Sequence, residues 1–259
     1  MKTKNFLFIL LCCTLVGLSV KVLAVTKQDR NVGAFTKIGV SSGIDLYLTQ
    51  GNTHSVAIET EEDIIDKIET VVENGTLIIR VKQGERINWR NGKLTLIAHV
   101  TTPVVEAIRG SGGSDIYPQT PINSNGALDI TLSGGSDLKD GTIKAKDIYL
   151  KLSGGSDAKQ LDMTADKLTA VLSGGSDCKG TVTAPTIELK QSGGSDSNLT
   201  IDATTLNVVT SGGSDVLLSG KTHTITAKAS GSSDIKANDL TYEKSDISKS
   251  GGSDIYLRK

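Results

Sequence analysis

A five-residue motif, Ser-Gly-Gly-Ser-Asp, occurs intact at 111–115, 133–137, 153–157, 173–177, 192–196, 211–215 and 250–254, and as Ser-Gly-Ser-Ser-Asp at 230–234. Its aspartates are Asp115, Asp137, Asp157, Asp177, Asp196, Asp215, Asp234 and Asp254, a nearly constant period of about 20 residues. One fixed motif per period of this length marks a solenoid, in which each repeat buries its apolar face only against its neighbours. The interval is too short for a helix of ordinary length beside a strand, which sets aside the mixed helix–strand solenoids.

The residues between motifs alternate. Five positions before the first Ser stand Leu128, Ile148, Leu168, Ile187, Leu206, Ile225 and Ser245; three before it stand Ile130, Leu150, Ala170, Leu189, Val208, Ala227 and Ile247. All of these except Ser245 are apolar, whereas the position between them is polar in nearly every copy. A period of two means strands with one buried face. The residue after each Asp (Ile116, Leu138, Ala158, Cys178, Ser197, Val216, Ile235, Ile255) also reads as inward-facing. The expected fold is all-β: a single-stranded, right-handed parallel β-helix of about 20 residues per coil. Each coil holds a strand, a glycine-dependent corner, a second strand and a weaker third segment such as Thr142–Ala145 or Thr181–Ala184. Glycine suits the corner because it accepts positive φ.

Residues 25–110 are less regular and are expected to form a β-rich N-terminal part or cap, with residues 111–259 as the regular solenoid. Ser41-Ser42-Gly43-Ile44-Asp45 reads as a degenerate first copy of the motif. Glu61–Ile68 has Ile64, Ile65 and Ile68 at helical spacing, so a short helix is expected there. Asn74-Gly75 and Asn91-Gly92 are hairpin turn signals before the strand candidates 76–81 and 93–100.

Residues 1–24 read as a secretory signal peptide: Lys2 and Lys4, an apolar run from Phe6 to Val20, then Val22-Leu23-Ala24 as a cleavage site. An uncleaved anchor is the alternative, although the run is short for a bilayer core of ~30 Å. The expected location is therefore the periplasm, the cell surface or the outside, with the membrane touched only through the export signal. Cleavage removes Cys12 and Cys13, leaving Cys178 and no intramolecular disulfide. The net charge of −1 and the lack of a basic stripe argue against nucleic-acid binding.

Three stretches carry a family resemblance. They are Gly43–Gly51, Val72–Ile79 and Lys93–Pro103, followed by the Ser-Gly-Gly-Ser-Asp series. Across residues 34–257 the chain resembles the auto-transporter adhesin head GIN-domain family. The resemblance implies an exported β-solenoid of Gram-negative bacteria and an adhesin-like role, and it brings no site residues. Self-translocation is not expected, since the sequence ends five residues after Asp254 with no membrane barrel.

The stripe Asp115, Asp137, Asp157, Asp177, Asp196, Asp215, Asp234 and Asp254 is the first candidate site. Carboxylates ~4.8 Å apart repel by about 1 kcal/mol per adjacent pair in water and about 3.5 kcal/mol at an effective dielectric of about 20. The expected offset is structural: each Asp accepts hydrogen bonds from corner amides and Ser hydroxyls. The alternative is a Ca²⁺ ladder on Asp137, Asp157, Asp177, Asp196 and Asp215. No catalytic residue and no other cofactor is expected. His54, His99 and His223 lie in unrelated segments, and Cys178 occupies an inward slot. Glu85–Arg90, with the sole Trp and two Arg, is a candidate sugar or protein contact whose plainer reading is a packed loop tip. The expected function is a non-enzymatic binding or adhesin-like module for an unidentified surface glycan or protein. A carbohydrate-active β-helix enzyme and a purely structural envelope role are the alternatives.

Overall fold

The computed structural model describes residues 24–88 and 94–258. The apolar run of the signal segment, Trp89, Arg90 and the Asn91-Gly92 turn lie outside the described residues. The chain is a β-solenoid of coils stacked in parallel register. Each regular coil has two strands, one before the corner and one after it: Asp147–Ser153 and Ala158–Thr164, then Lys167–Leu172 and Asp177–Thr183. The expected third segment is absorbed into the second strand, since Thr142–Lys144 continues Leu138 onward. In the later coils the strand after one corner runs on into the strand before the next, as in Asp196–Thr210 and Asp215–Ala229.

Parallel register stacks like on like. Leu128, Ile148, Leu168, Ile187, Leu206 and Ile225 form one column; Ile130, Leu150, Ala170, Leu189, Val208 and Ala227 form another. All of these are buried, as is Cys178 in the slot after its Asp. The alternation in sequence thus becomes adjacent columns of a continuous core. Ile247 departs from the expected facing. It is 46% exposed, and Ser245 beside it is exposed too. Ala227 lies on one side of Ile247, and among the described residues no further strand lies on the other.

The unequal motif spacings have a local cause. Lys139 pairs with Lys159 and Gly141 with Leu161, which sets Asp140 beside Gln160; both have positive φ, 37° and 53°. In the next step Ala158 pairs with Cys178 and Leu161 with Gly180, so the strand after Asp157 carries one residue more than its neighbour. The same slip recurs between Leu217 and Ser219, opposite Lys236–Asp239. The 20-residue coils are the 19-residue ones with a single bulged residue added just past the corner, where it leaves the buried columns in register.

The N-terminal part joins the stack out of chain order. Lys37–Val40 lies between Thr76–Val81 on one side and Ala107–Gly110 on the other, all parallel. Asp45–Gln50 likewise lies between Leu96–Thr102 and Ile116–Pro118. The chain therefore lays down its second coil first, makes hairpins, returns to lay the outermost coil, and crosses over to continue at Ala107. Gln50 clasps this crossover. Its amide donates to the carbonyls of Pro103 (3.0 Å) and Asn123 (2.8 Å), and its oxygen accepts from the Asn123 amide (2.6 Å).

Antiparallel strands cover the first end of the stack. Ser55–Glu61 pairs with Leu96–Thr102, Val25–Asp29 pairs in turn with Ser55–Glu61, and Ile68–Glu73 forms a hairpin with Thr76–Val81. Asn74 and Gly75 make that hairpin's turn at φ 49° and 73°, as a two-residue turn with positive φ requires. Of the expected helix only one 3₁₀ turn forms, Ile65–Lys67. Ile64, Ile65 and Ile68 are nevertheless all buried, so the apolar spacing reported a packed corner between strands.

Candidate functional site: the aspartate ladder

The aspartates of the motif lie in one file, and in six of its seven steps the carboxylate of one coil accepts the Asp amide of the next; at the remaining step the Asp196 amide donates to the Ser176 carbonyl (3.1 Å). The amide of Asp137 donates to Asp115 Oδ1 (3.1 Å), that of Asp157 to Asp137 (3.1 Å), and that of Asp177 to Asp157 (3.0 Å). The amides of Asp215, Asp234 and Asp254 do the same to Asp196, Asp215 and Asp234 at 3.1–3.3 Å. The file begins earlier than the intact motifs: Asp45 accepts the amide of Asp115 at 3.2 Å. Apart from that of Asp196, the motif Asp amides thus find their acceptors in carboxylates of the adjacent coil, the amides of Ser114 and Ser136 find theirs in the hydroxyls of Ser136 and Ser156 (3.0 and 3.2 Å), and the ladder ties coil to coil.

The serine hydroxyls are directed elsewhere. Ser176, Ser195, Ser214, Ser233 and Ser253, each just before its Asp, are buried and donate to the carbonyl of the first Ser of their own motif at 2.7–3.0 Å. They close the corner from inside.

A row of lysines, not anticipated from the sequence, borders the aspartates. Lys139, Lys159, Lys179 and Lys236 each stand two residues after a motif Asp. That spacing puts them on the same outward face. Lys159 Nζ lies 3.0 Å from Asp137 and 2.9 Å from Asp157. Lys236 lies 3.0 Å from Asp215 and 3.7 Å from Asp234. Lys139 bonds to Asp115 and lies 3.9 Å from Asp137. Lys179 stays 3.9 Å from its own Asp177. Hydrogen bonds to Asp157 and Asp137 push the Lys159 ammonium's pKa well up. Burial pushes the Asp177 carboxyl up, reinforced by the charge of Asp157. Burial also pushes Asp45 up, against the opposing bond from the Asp115 amide.

Toward the first end aromatic rings replace the lysines in this row. Tyr47 stacks on Tyr117 with centroids 4.9 Å apart and meets His99 at 5.6 Å. Lys139 sits 5.3 Å over the Tyr117 ring, joining the aromatic stretch to the lysines.

The remaining candidates do not converge. His99 pairs with Glu59 (2.8 Å), and His223 pairs with Glu243 (2.9 Å). His54 packs on Phe35 at 5.0 Å. Cys178 is buried and its thiol is pushed up to about 12 by burial, which suits a core side chain and not a nucleophile. Of 85–90, residues Glu85–Asn88 are described, and they lie in a loop after Val81. Among the described residues no group of three or more His, Cys, Asp and Glu is placed to hold a metal ion.

These contacts make two predictions. Asp157→Ala should cost about 1–3 kcal/mol, because the Asp177 amide loses its acceptor. Asp157→Asn, which keeps an oxygen there and loses only the half-exposed lysine pair, should cost less than about 1 kcal/mol. Urea midpoints of the two variants check this, and equal losses would mean that charge and not the acceptor matters. Second, a chelator should leave the wild-type Tm unchanged, because amides and lysines already engage the carboxylates. A drop of many degrees would make the file a cation ladder.

The class this architecture defines is a parallel β-solenoid whose first end is covered by antiparallel strands and whose flank carries an Asp–Lys file. The family model described as "Putative auto-transporter adhesin, head GIN domain" matches residues 34–180 and 177–259. The chain belongs to that family. Among solved structures it is similar to a putative adhesin of Bacteroides fragilis (20% identity, 90% of this chain and 97% of that one, TM-score 0.64). It is similar also to two proteins of Parabacteroides distasonis. One is titled a putative lipid binding protein (18% identity, 90% and 96%, TM-score 0.67); the other is titled a putative adhesin (16% identity, 91% and 98%, TM-score 0.66). At these identities the likeness is one of fold. Among curated proteins none matches the chain.

Proposed function

We propose that the protein is an exported, non-enzymatic binding module that offers the flanks of a rigid solenoid to a surface glycan or protein. The observation that carries this reading is the engagement of the repeated carboxylates. An enzyme of this architecture needs acids that are free to exchange a proton with substrate. Here the acids of one coil hold amides and lysines of the next, so the repeated chemistry maintains the scaffold. The adhesin-like names of the family and of its structural relatives agree with a binding role. The signal-like N-terminus agrees with export, and no helix of the described residues is long and apolar enough to cross a membrane.

The test is a glycan and protein array run with a parallel hydrolysis assay. Retention of one ligand class without turnover is expected; release of shortened saccharide would favour the enzyme. N-terminal sequencing of the exported protein should begin at Val25.

A further inference from the structure

We propose that a dip at the start of the solenoid, floored by Gly39, is a binding site for the carboxylate or sulfate of an acidic saccharide. This rests on the binding role proposed above and names a ligand class for it. The dip has a volume of about 300 Å³, and its lining includes Gly39, Ile78, Arg80, Arg109 and Thr131. Its origin is a missing side chain. Ile78, Gly39, Arg109 and Thr131 follow one another across four adjacent strands on the outward face, and at Gly39 that row is empty.

Two guanidinium groups flank the gap. Arg80 is held by Glu69 at 2.5 Å, which fixes its position and neutralises part of its charge. Arg109 is exposed and has no ion pair among the described residues. Arg109 is thus the uncompensated cation of the site. A planar guanidinium with a free edge matches a carboxylate or sulfate in bidentate fashion.

The hydroxyls distinguish a sugar from a bare anion. Ser41, Ser111 and Ser133 line the dip from three successive coils, spaced ~4.8 Å apart. In the later coils the equivalent serines, Ser153, Ser173, Ser211 and Ser230, donate to the carbonyl of the coil before. A row of hydroxyls at this pitch, beside the apolar side of Ile78, suits the hydroxyls and C–H face of a pyranose better than it suits a flexible acidic peptide.

Two variants separate the site from the fold. Arg109→Gln removes the free cation from an exposed position. Gly39→Val fills the dip, and a Cβ at Gly39 meets nothing closer than the Leu77 carbonyl at 3.8 Å. The probe is a galacturonate trisaccharide, titrated into the mature protein by calorimetry at low salt, with its methyl ester and a penta-glutamate peptide in parallel. The trisaccharide should bind, weaken as salt rises, and lose about tenfold or more with either variant, at unchanged Tm. No binding of the trisaccharide, equal binding of its ester, equal binding by both variants, or tighter binding of the peptide would overturn the proposal. If another glycan on the array binds wild type and both variants alike, the binding role stands and this site falls. If nothing on the array binds, both fall.

Discussion

Leu150→Asp should unfold the domain or cost about 4 kcal/mol or more, whereas Lys151→Asp should stay within about ±0.5 kcal/mol. The two residues are neighbours on one strand, Asp147–Ser153, and differ in the face they occupy. Leu150 is 1% exposed and lies between Ile130 and Ala170 in a column with no polar side chain to receive a carboxylate. Lys151 faces solvent. The substitution removes a large apolar side chain and asks the core to hold a charge, and each change alone is costly. Thermal melts and urea titration of both variants measure the difference. Similar midpoints would mean that the strand faces the other way.

That pair of residues also shows why so much of the fold is legible in the sequence. In a solenoid the same position recurs coil after coil, so a facing that is ambiguous in one strand is settled by the column. Leu128, Ile148, Leu168 and Ile187 agree because they touch one another. The pattern misleads at Ile247, which keeps its apolar place although no further coil covers it among the described residues. The signal of the uncovered strand lies in the other column, where Ser245 replaces the Leu or Ile of the other coils.

The order of coils at the first end was not legible for a different reason. Nothing local to Lys37–Val40 says that its partners are Thr76–Val81 and Ala107–Gly110. The only clue was Ser41–Asp45, and it proves informative: Ser42 has φ 70° and sits under Gly112, and Asp45 receives the Asp115 amide. The lysine row is present in the sequence as Asp-x-Lys in four coils. The motif itself does not reveal it, because the charge balance is struck two residues beyond the motif's last residue and with the coil before. The dip at Gly39 had no sequence signal, because it arises from an absence on a row assembled out of chain order.

The corner itself makes the most discriminating forecast. Gly174→Ala should cost about 2–4 kcal/mol, while Gly175→Ala, one residue later, should be neutral or stabilising by up to about 1 kcal/mol. Gly174 has φ +78°, and a Cβ there would lie 2.9 Å from the Gly154 carbonyl oxygen and 3.1 Å from its amide nitrogen. Both objections are backbone ones, so no rotamer relieves them. Gly193, Gly212, Gly231 and Gly251 repeat the contact at 2.8–2.9 Å. Gly175 has no such φ, and its Cβ would meet the Gly154 oxygen at 3.9 Å, an ordinary contact. Alanine there narrows the unfolded ensemble and disturbs nothing in the fold. The chain already contains the natural version of this experiment: Ser-Gly-Ser-Ser-Asp keeps Gly231 at the strained position and places Ser232, exposed, at the permissive one. Because each coil contacts only its neighbours, loss of an interior corner weakens two interfaces and loss of a terminal one weakens a single interface. Gly251→Ala should therefore cost less than Gly174→Ala although its Cβ clash is as short. Equal urea midpoints for Gly174→Ala and Gly175→Ala would refute the stacked-corner geometry. A Gly251→Ala loss as large as that of Gly174→Ala would refute the neighbour-by-neighbour coupling while leaving the corner intact.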